Sequence, residues 1–317
     1  MSLKIEIRQT DTANLDGDAW NDYDSFSAHP ANTTFYAGLY RGRLLSAPIF
    51  LEAFISGDKV SQWVLAKRRS RQNPFSVELS SPCAPQVAQK HTSQFDEIFA
   101  AYIEFMNRSF HPENITVFNY AHTRGITEAA LLQSGFSRVE RFCTFVNQLG
   151  EDDELLRQFH GSHRNDTRRA LRLGFSYTPI LSFEEYLHLS KETYARSDQS
   201  GPSEREVLKL QRELVEHHKG LISGVSVDGT LEAASIVLFH GEHAYYLHGA
   251  SSNERSRGAT TLIHYENMRL LRRRGVRFYD FGGARIANDV DAKARSISAF
   301  KSRFGGTLIE AFGGIYR

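Results

Sequence analysis

The hydrophobic positions of this chain follow two rhythms that alternate along its length. LKIEIR, residues 3–8, alternates apolar and polar side chains with the two-residue period of an opening strand, and the acidic stretch after it predicts a short helix around Trp20 and Phe26. RLLSAPIFLEAFISGDKVSQWVLAKRR predicts strand, turn at Gly57-Asp58 and strand; the polar, proline-containing residues 72–86 predict a loop. From Ser93 to Phe110 the period lengthens to that of a helix, with Phe95, Ile98, Tyr102, Ile103 and Met106 on one face. ITVFNY, ITEAALLQSGF and RFCTFVNQL then predict strand, helix and strand, closing an α/β sheet domain near Leu149.

The acidic GEDDELLRQF, residues 150–159, predicts a linker that starts a helix, followed by the basic segment RNDTRRALRLGF. Helical patterns from Phe183 to Arg196 and from Ser203 to His218 flank a polar loop. LISGVSV, LEAASIVLF and HAYYLHGA predict three strands joined by tight turns at Asp228-Gly229 and His240-Gly241. A helix from Ala259 to Arg274, a strand RFYDF, a helix from Ala294 to Phe304 and a strand TLIEAF complete the second half.

Length narrows this picture. The 317 residues are enough for two domains with their own cores, predicted at residues 1–150 and 151–317. Apolar residues at 41% and charged residues at 24% suit a folded domain, and no apolar run is as long as a membrane span. Without a signal-peptide pattern at its start, the sequence predicts a cytoplasmic protein with no transmembrane segment. A net charge of +1 means that an anionic partner must be met by local patches rather than by the whole surface. Cys83 and Cys143 are too few and too far apart for a disulfide framework or a metal knuckle. The pairs His160/His163 and His217/His218 lack accompanying ligands, so no metal site is expected. Phosphate-loop, nucleophile-elbow and dinucleotide fingerprints are absent.

Candidate chemistry gathers in the second half. In the helix before Gly305-Gly306, Ile297, Phe300 and Phe304 form an apolar stripe with Lys301 at its edge, while Arg295 points away. Lys301 either lays a long stem along that surface or aims an ammonium into a site. Arg164, Arg168 and Arg172 recur every four residues, with Arg157 seven residues earlier on nearly the same bearing. Such a row either chelates phosphate oxygens or forms a solvated face. Alternation on HAYYLHG puts Tyr246 and His248 on one face, and Asp280, beside Tyr279, requires a partner if buried. Glu266 is placed either inward, as a base or ion-pair member, or outward.

The basic segment at 164–175 and the phrases YDFGG and FKSRFGG, in this order and spacing, resemble the FemABX family of non-ribosomal peptidyltransferases. The resemblance is best over the C-terminal half. It implies two GNAT-like domains with mixed, largely antiparallel sheets, and the order of strands and helices after residue 220 is that of a GNAT core. It further implies transfer of an amino acid from aminoacyl-tRNA to the amine of a peptidoglycan precursor, nucleotide-linked or lipid-linked, without a tightly bound cofactor. By the same resemblance Phe300 and Lys301 match the pair at the transfer centre, with Phe300 placed to stack on the donor's terminal adenine. The arginine row would lie near the precursor, and Tyr246, His248 and Tyr279 would face it with Asp280. The loop ASSNERSRGATTL resembles the GNAT pyrophosphate loop through Arg255, Gly258 and Ala259, although Thr260 stands where a small residue belongs. That keeps acyl-CoA open as the donor. A twin fold that binds an anionic precursor without turnover is the reading of another class.

Overall fold

The computed structural model describes residues 4–12, 15–22, 29–39, 46–70, 73, 75–117, 126–196, 201–284 and 292–317. Two compact units result: Met1–Thr144 together with Glu310–Arg317, and Phe145–Ile309. This differs from the division expected from sequence in one respect that matters: the last strand returns to the first unit. Phe26 and residues 118–120 of ITVFNY lie outside the described residues.

In the first unit β1 (Ile5–Thr10), β2 (Ala47–Ile55), β3 (Asp58–Arg69), β4 (Val77–Ser81), β6 (Asn114–Val117), the last strand β13 (Thr307–Tyr316) and β7 (Arg138–Gln148) lie in that order, with β5 (Gln86–Val87) paired to β3. Residues 72–86, expected as a loop, therefore contain β4 and the first residue of β5. The β2–β3 turn is built on Ser56-Gly57, both at positive φ, one residue before the expected Gly57-Asp58. The helix Phe95–Phe110 buries Phe95, Ile98, Phe99, Tyr102, Ile103 and Met106, the face its period predicts. These pack with Trp63, Leu65 and Leu79 into the unit's core, where the Trp63 ring meets Tyr102 edge-on at 5.5 Å. Trp63 Nε1 donates to the Cys83 carbonyl at 2.8 Å, so its burial leaves no donor unsatisfied.

The second unit continues from the end of β7 to β12 (Phe278–Asp280), β11 (His243–Ser251), β10 (Thr230–His240), β9 (Gly220–Val227) and β8 (Ser176–Thr178). Among the described residues of this unit, only the β11–β12 pair is parallel. The expected hairpins are present, and β8 is an addition: three residues bounded by Gly174 and Pro179 carry too little pattern to read. Asp152–Gln158 and Gly161–Arg172 are two helices, because Phe159 between them is extended (φ −64°, ψ 140°). His160 starts the second by accepting a hydrogen bond from the Ser162 N–H. Ser182 and Ser203 cap Phe183–Ala195 and Glu204–Leu210 with reciprocal Glu185 and Glu206 bonds. Beyond Leu210, a π-helical turn over Gln211–Val215 replaces the uninterrupted helix expected to His218. Ala259–Arg273 lies on the sheet and buries Leu262, Ile263, His264, Asn267, Met268 and Leu271.

Among the described residues no helix is long and apolar enough to cross a membrane, and no three His, Cys, Asp or Glu side chains gather as metal ligands.

Candidate functional site

The final helix of the second unit, Ala292–Ser302, is rotated from the stripe that its sequence suggests. Ile297 is 43% exposed, whereas Ser298 and Lys301, three residues apart, face inward, and Phe304 is buried in the turn that follows. The reason lies in what the inward face meets. Lys301 Nζ donates to the carbonyl oxygens of Gly282 (2.9 Å) and Gly283 (2.8 Å), so the helix presents a hydrogen-bonding cation, not an isoleucine, to the turn opposite. That turn is set by Asp280, whose Oδ1 accepts the Gly282 N–H at 2.7 Å. Asp280 is buried and thus acts on Lys301 in two ways, through the carbonyls it positions and through its charge. Burial lowers the Lys301 pKa to about 8, against the opposing pull of Asp280.

The glycines after this helix answer a close approach. Gly305 has φ +79°, and a Cβ there would overlap the Gln158 carbonyl. Asn147 Nδ2 donates to the Phe304 carbonyl (2.7 Å), and the His160 N–H donates to that of Arg303 (2.7 Å). Together these contacts hold the helix end, and Lys301 with it, in a fixed place.

Around Lys301 is an aromatic cluster. Phe281 stacks on Phe304 at 4.6 Å, Phe159 meets Phe304 edge-on at 5.0 Å, and His163 lies 5.0 Å from Phe300 and donates from Nε2 to the Phe300 carbonyl (3.1 Å). The Lys301 ammonium is 5.9 Å from the Tyr246 ring. A cavity of about 150 Å³ opens beside this cluster, lined by Thr193, Ala233, Ala234, Tyr246, Gly249, Ala250, Ser251, Thr260, Ile263, His264 and Phe300. At roughly 30 Å³ of liquid volume per water it takes a group of a few heavy atoms.

Of the residues singled out from sequence, the structure brings Lys301, Phe300, Asp280, Tyr246 and Tyr279 together. Tyr279 is fully buried and its hydroxyl meets His264 Nδ1 at 3.1 Å, so it supports the cavity wall rather than facing a substrate. His248 does not line the cavity. A register shift, in which Ile236 opposes His248 and Val237 opposes Tyr246, leaves Leu247 as a bulge and breaks the alternation that put both on one face. Burial lowers the His248 pKa to about 4.

Arg168 and Arg172 are exposed and Arg164 is half-buried on the outer face of Gly161–Arg172, opposite the buried His163, Thr167 and Ala170. Arg157 leaves their row, because the helix break at Phe159 intervenes. Arg255 is exposed, and it is Arg257 that makes the loop's ion pair, with Asp166 at 2.6 Å. Gly258, at φ +110°, precedes the helix begun by Ala259, and a Cβ on it would come within 2.6 Å of the Asp166 carbonyl. Its glycine is thus required by helix packing, whatever the loop binds. Glu266 is paired with Arg269 at 3.0 Å, the ion-pair alternative of the sequence reading.

Sequence reasoning missed His264 and His163. Burial lowers their pKa to about 3 and about 4 respectively, with Lys301 adding to the effect on His264.

Residues 161–293 match the family model described as an acetyltransferase (GNAT) domain. The crystal structure of FemX superposes over 96% of this chain and 96% of that one with a TM-score of 0.77 at 16% identity, which establishes a common fold. Staphylococcus haemolyticus lipid II:glycine glycyltransferase is 36% identical over 87 residues. The chain resembles FemX in fold, and over part of its length it matches a GNAT domain. The likeness to the glycyltransferase covers 27% of this chain and 21% of the staphylococcal protein, so the chain spans about a fifth of the relative's length. A tandem GNAT protein from the clavulanic acid biosynthesis pathway also superposes, over 98% of this chain and 97% of its own, with a TM-score of 0.50 at 13% identity. The mixed, largely antiparallel sheet of this chain is similar in fold to those of FemX and of this tandem GNAT protein.

Proposed function

We propose that this chain is an acyltransferase that moves an amino acid, glycine in the first instance, onto an amine of a peptidoglycan precursor. Lys301 carries the reading: a buried ammonium, held by the Gly282 and Gly283 carbonyls, beside a cavity bordered by Phe300. The staphylococcal relatives, lipid II:glycine glycyltransferases, support glycine and a lipid-linked acceptor.

The chemistry needs no group the chain lacks. The acceptor amine attacks the carbonyl carbon of an activated acyl donor, a C–N bond forms, and the π pair moves onto the carbonyl oxygen. Collapse restores the C=O bond and expels the donor's oxygen or sulfur, and the proton of the amine leaves with it or to water. A fixed cation in a dry setting stabilises the oxyanion of that intermediate. Asp280 acts as a positioning residue, and Phe300 offers a ring to the donor's adenine. On the exposed helix face Arg164, Arg168 and Arg172 take the acceptor's phosphates.

Two donors fit this scheme. Aminoacyl-tRNA is the donor that the resemblance of the sequence motifs implies, and acyl-CoA accords with the match to an acetyltransferase domain, with the Arg255, Gly258 and Ala259 segment as its phosphate loop. The deciding experiment offers the protein glycyl-tRNA or acetyl-CoA, each with lipid II or its nucleotide-linked precursor, and reads acylated product by mass. Glycylated precursor from glycyl-tRNA, reduced about 100-fold or more by Lys301→Met, supports the proposal. Product from acetyl-CoA alone moves the donor, and precursor binding without product from either donor replaces the enzyme reading with that of a binder.

A further inference from the structure

The cavity wall contains an imidazole whose protonation pattern can be worked out from its neighbours. His264 Nδ1 lies 3.1 Å from the Tyr279 hydroxyl, and Tyr279 is fully buried. One of the two must donate. Besides His264, the side chain in hydrogen-bond contact with the Tyr279 hydroxyl is that of Asn267. The nearby Asn267 Oδ1 already accepts from Tyr177 (2.8 Å) and from Ser223 Oγ (2.8 Å). Asn267 Nδ2 donates to Ser235 Oγ (2.8 Å), which in turn is 2.9 Å from Ser223 Oγ, so what Asn267 has left for Tyr279 is its second amide N–H, a donor and not an acceptor. If His264 Nδ1 carried the proton, the Tyr279 O–H would be a buried donor without an acceptor, at a cost on the order of 1–3 kcal/mol. The phenol therefore donates to Nδ1, and the proton of the neutral ring is on Nε2.

Nε2 has no partner among the described residues, and His264 borders the cavity together with Tyr246, whose ring it meets edge-on at 4.7 Å. We infer that His264 is a further catalytic residue of this site, a neutral imidazole fixed by Tyr279 as the Nε2–H tautomer and donating a hydrogen bond from the cavity wall to the carbonyl oxygen of the acyl group. No proton is transferred; the bond shortens as charge accumulates on that oxygen and complements the Lys301 ammonium. Burial keeps the ring neutral by lowering its pKa to about 3, and Lys301 adds to this, so the donor stays a donor across the neutral range. The inference rests on the transferase reading for its chemistry and on the hydrogen-bond network for its tautomer, and the two are tested apart.

Nitrogen NMR of the histidine-labelled protein reads the tautomer without turnover. The expected result is an Nε2–H ring for His264 that does not titrate between pH 5.5 and 8, and that loses this preference in Tyr279→Phe. An Nδ1–H ring, or one that titrates within that range, overturns the inference while leaving the transferase reading intact. With the productive donor of the preceding assay, His264→Phe is expected to lower kcat about 100-fold with KM changed less than about threefold, and His264→Gln, which replaces the Nε2–H by an amide N–H, to recover part of it. A Phe variant within about threefold of wild-type kcat overturns the catalytic role. Should no donor be turned over, the tautomer is read as before and a non-hydrolysable 3′-glycylamido-adenosine is titrated instead: a shift of the His264 Nε2–H proton on binding supports the contact, and binding without a shift overturns it.

Discussion

The two units bury different things. In the first, the buried polar side chains are amides, hydroxyls and one histidine, and they serve the backbone: Asn32 donates to the Ala84 carbonyl and accepts from the Val64 N–H, Gln62 donates to the Trp20 carbonyl, and Ser61 to that of Gln86. In the second, Asp280, Glu232 and Lys301 are buried together with His163, His240 and His264. A buried charge costs several kcal/mol before its partners offset it, so a chain does not collect them for cohesion alone. The first unit is stabilised by what it removes from water. The second gives up some stability to keep ionisable groups in a fixed, dry arrangement.

The contrast can be broken from either side. Trp63→Ala removes the largest buried side chain of the first unit's core and is expected to cost about 3–5 kcal/mol, read as a lowered urea midpoint. A loss below about 1 kcal/mol would mean that this core is not the source of the unit's cohesion. Lys301→Met should do the reverse in the second unit: activity falls, and the melting temperature does not fall below that of wild type at pH 7, because the penalty of burying an ammonium is gone. Marked destabilisation of the Met variant would show instead that the lysine is there to hold the fold.

pH sharpens the same point. The folded pKa of Lys301, about 8, lies below its ordinary value of 10.5, so between these values the unfolded chain binds more protons and this residue's contribution to stability rises with pH. Any advantage of Lys301→Met measured at pH 7 should therefore shrink as pH is raised from 8 towards 10.5. Turnover that depends on the ammonium should decline over the lower part of that window, above about pH 8. His163 and His264, lowered to about 4 and about 3, likewise make the unfolded chain the better proton acceptor below 6.5, and stability should fall as pH drops from 6.5 towards 4. Arg168→Glu is the mildest change, within about 0.5 kcal/mol on stability, and is expected to raise the KM for a phosphate-bearing acceptor without altering kcat. An unchanged KM would reduce the arginine row to a solvated face.

How far the sequence discloses this arrangement depends on the kind of contact. The helix Phe95–Phe110 and the hairpins from Gly220 to Ser251 were legible because their periods are set by burial on one side, and a glycine or aspartate marks each turn. The strands Val77–Ser81 and Ser176–Thr178 were not, since a few residues between prolines or glycines carry no measurable period. Lys301 was legible as a misplaced cation, but the face it occupies was not: a helical wheel ranks Ile297 as the inward residue, and only the carbonyls of Gly282 and Gly283 reverse that ranking. The separation of His248 from Tyr246 depends on a one-residue bulge that alternation cannot foresee. His264 reads as an ordinary helical residue until Tyr279, fifteen positions later, is placed against it.

The partners of Lys301 have a genetic consequence. A lysine tied to a carboxylate can have its loss compensated by a second substitution at that partner. Here the acceptors are main-chain oxygens, which every amino acid carries, so no exchange at positions 282 or 283 can delete them or supply a replacement charge. Second-site revertants of a Lys301 lesion would accordingly have to arise elsewhere, and changes in the turn itself would act only through its shape.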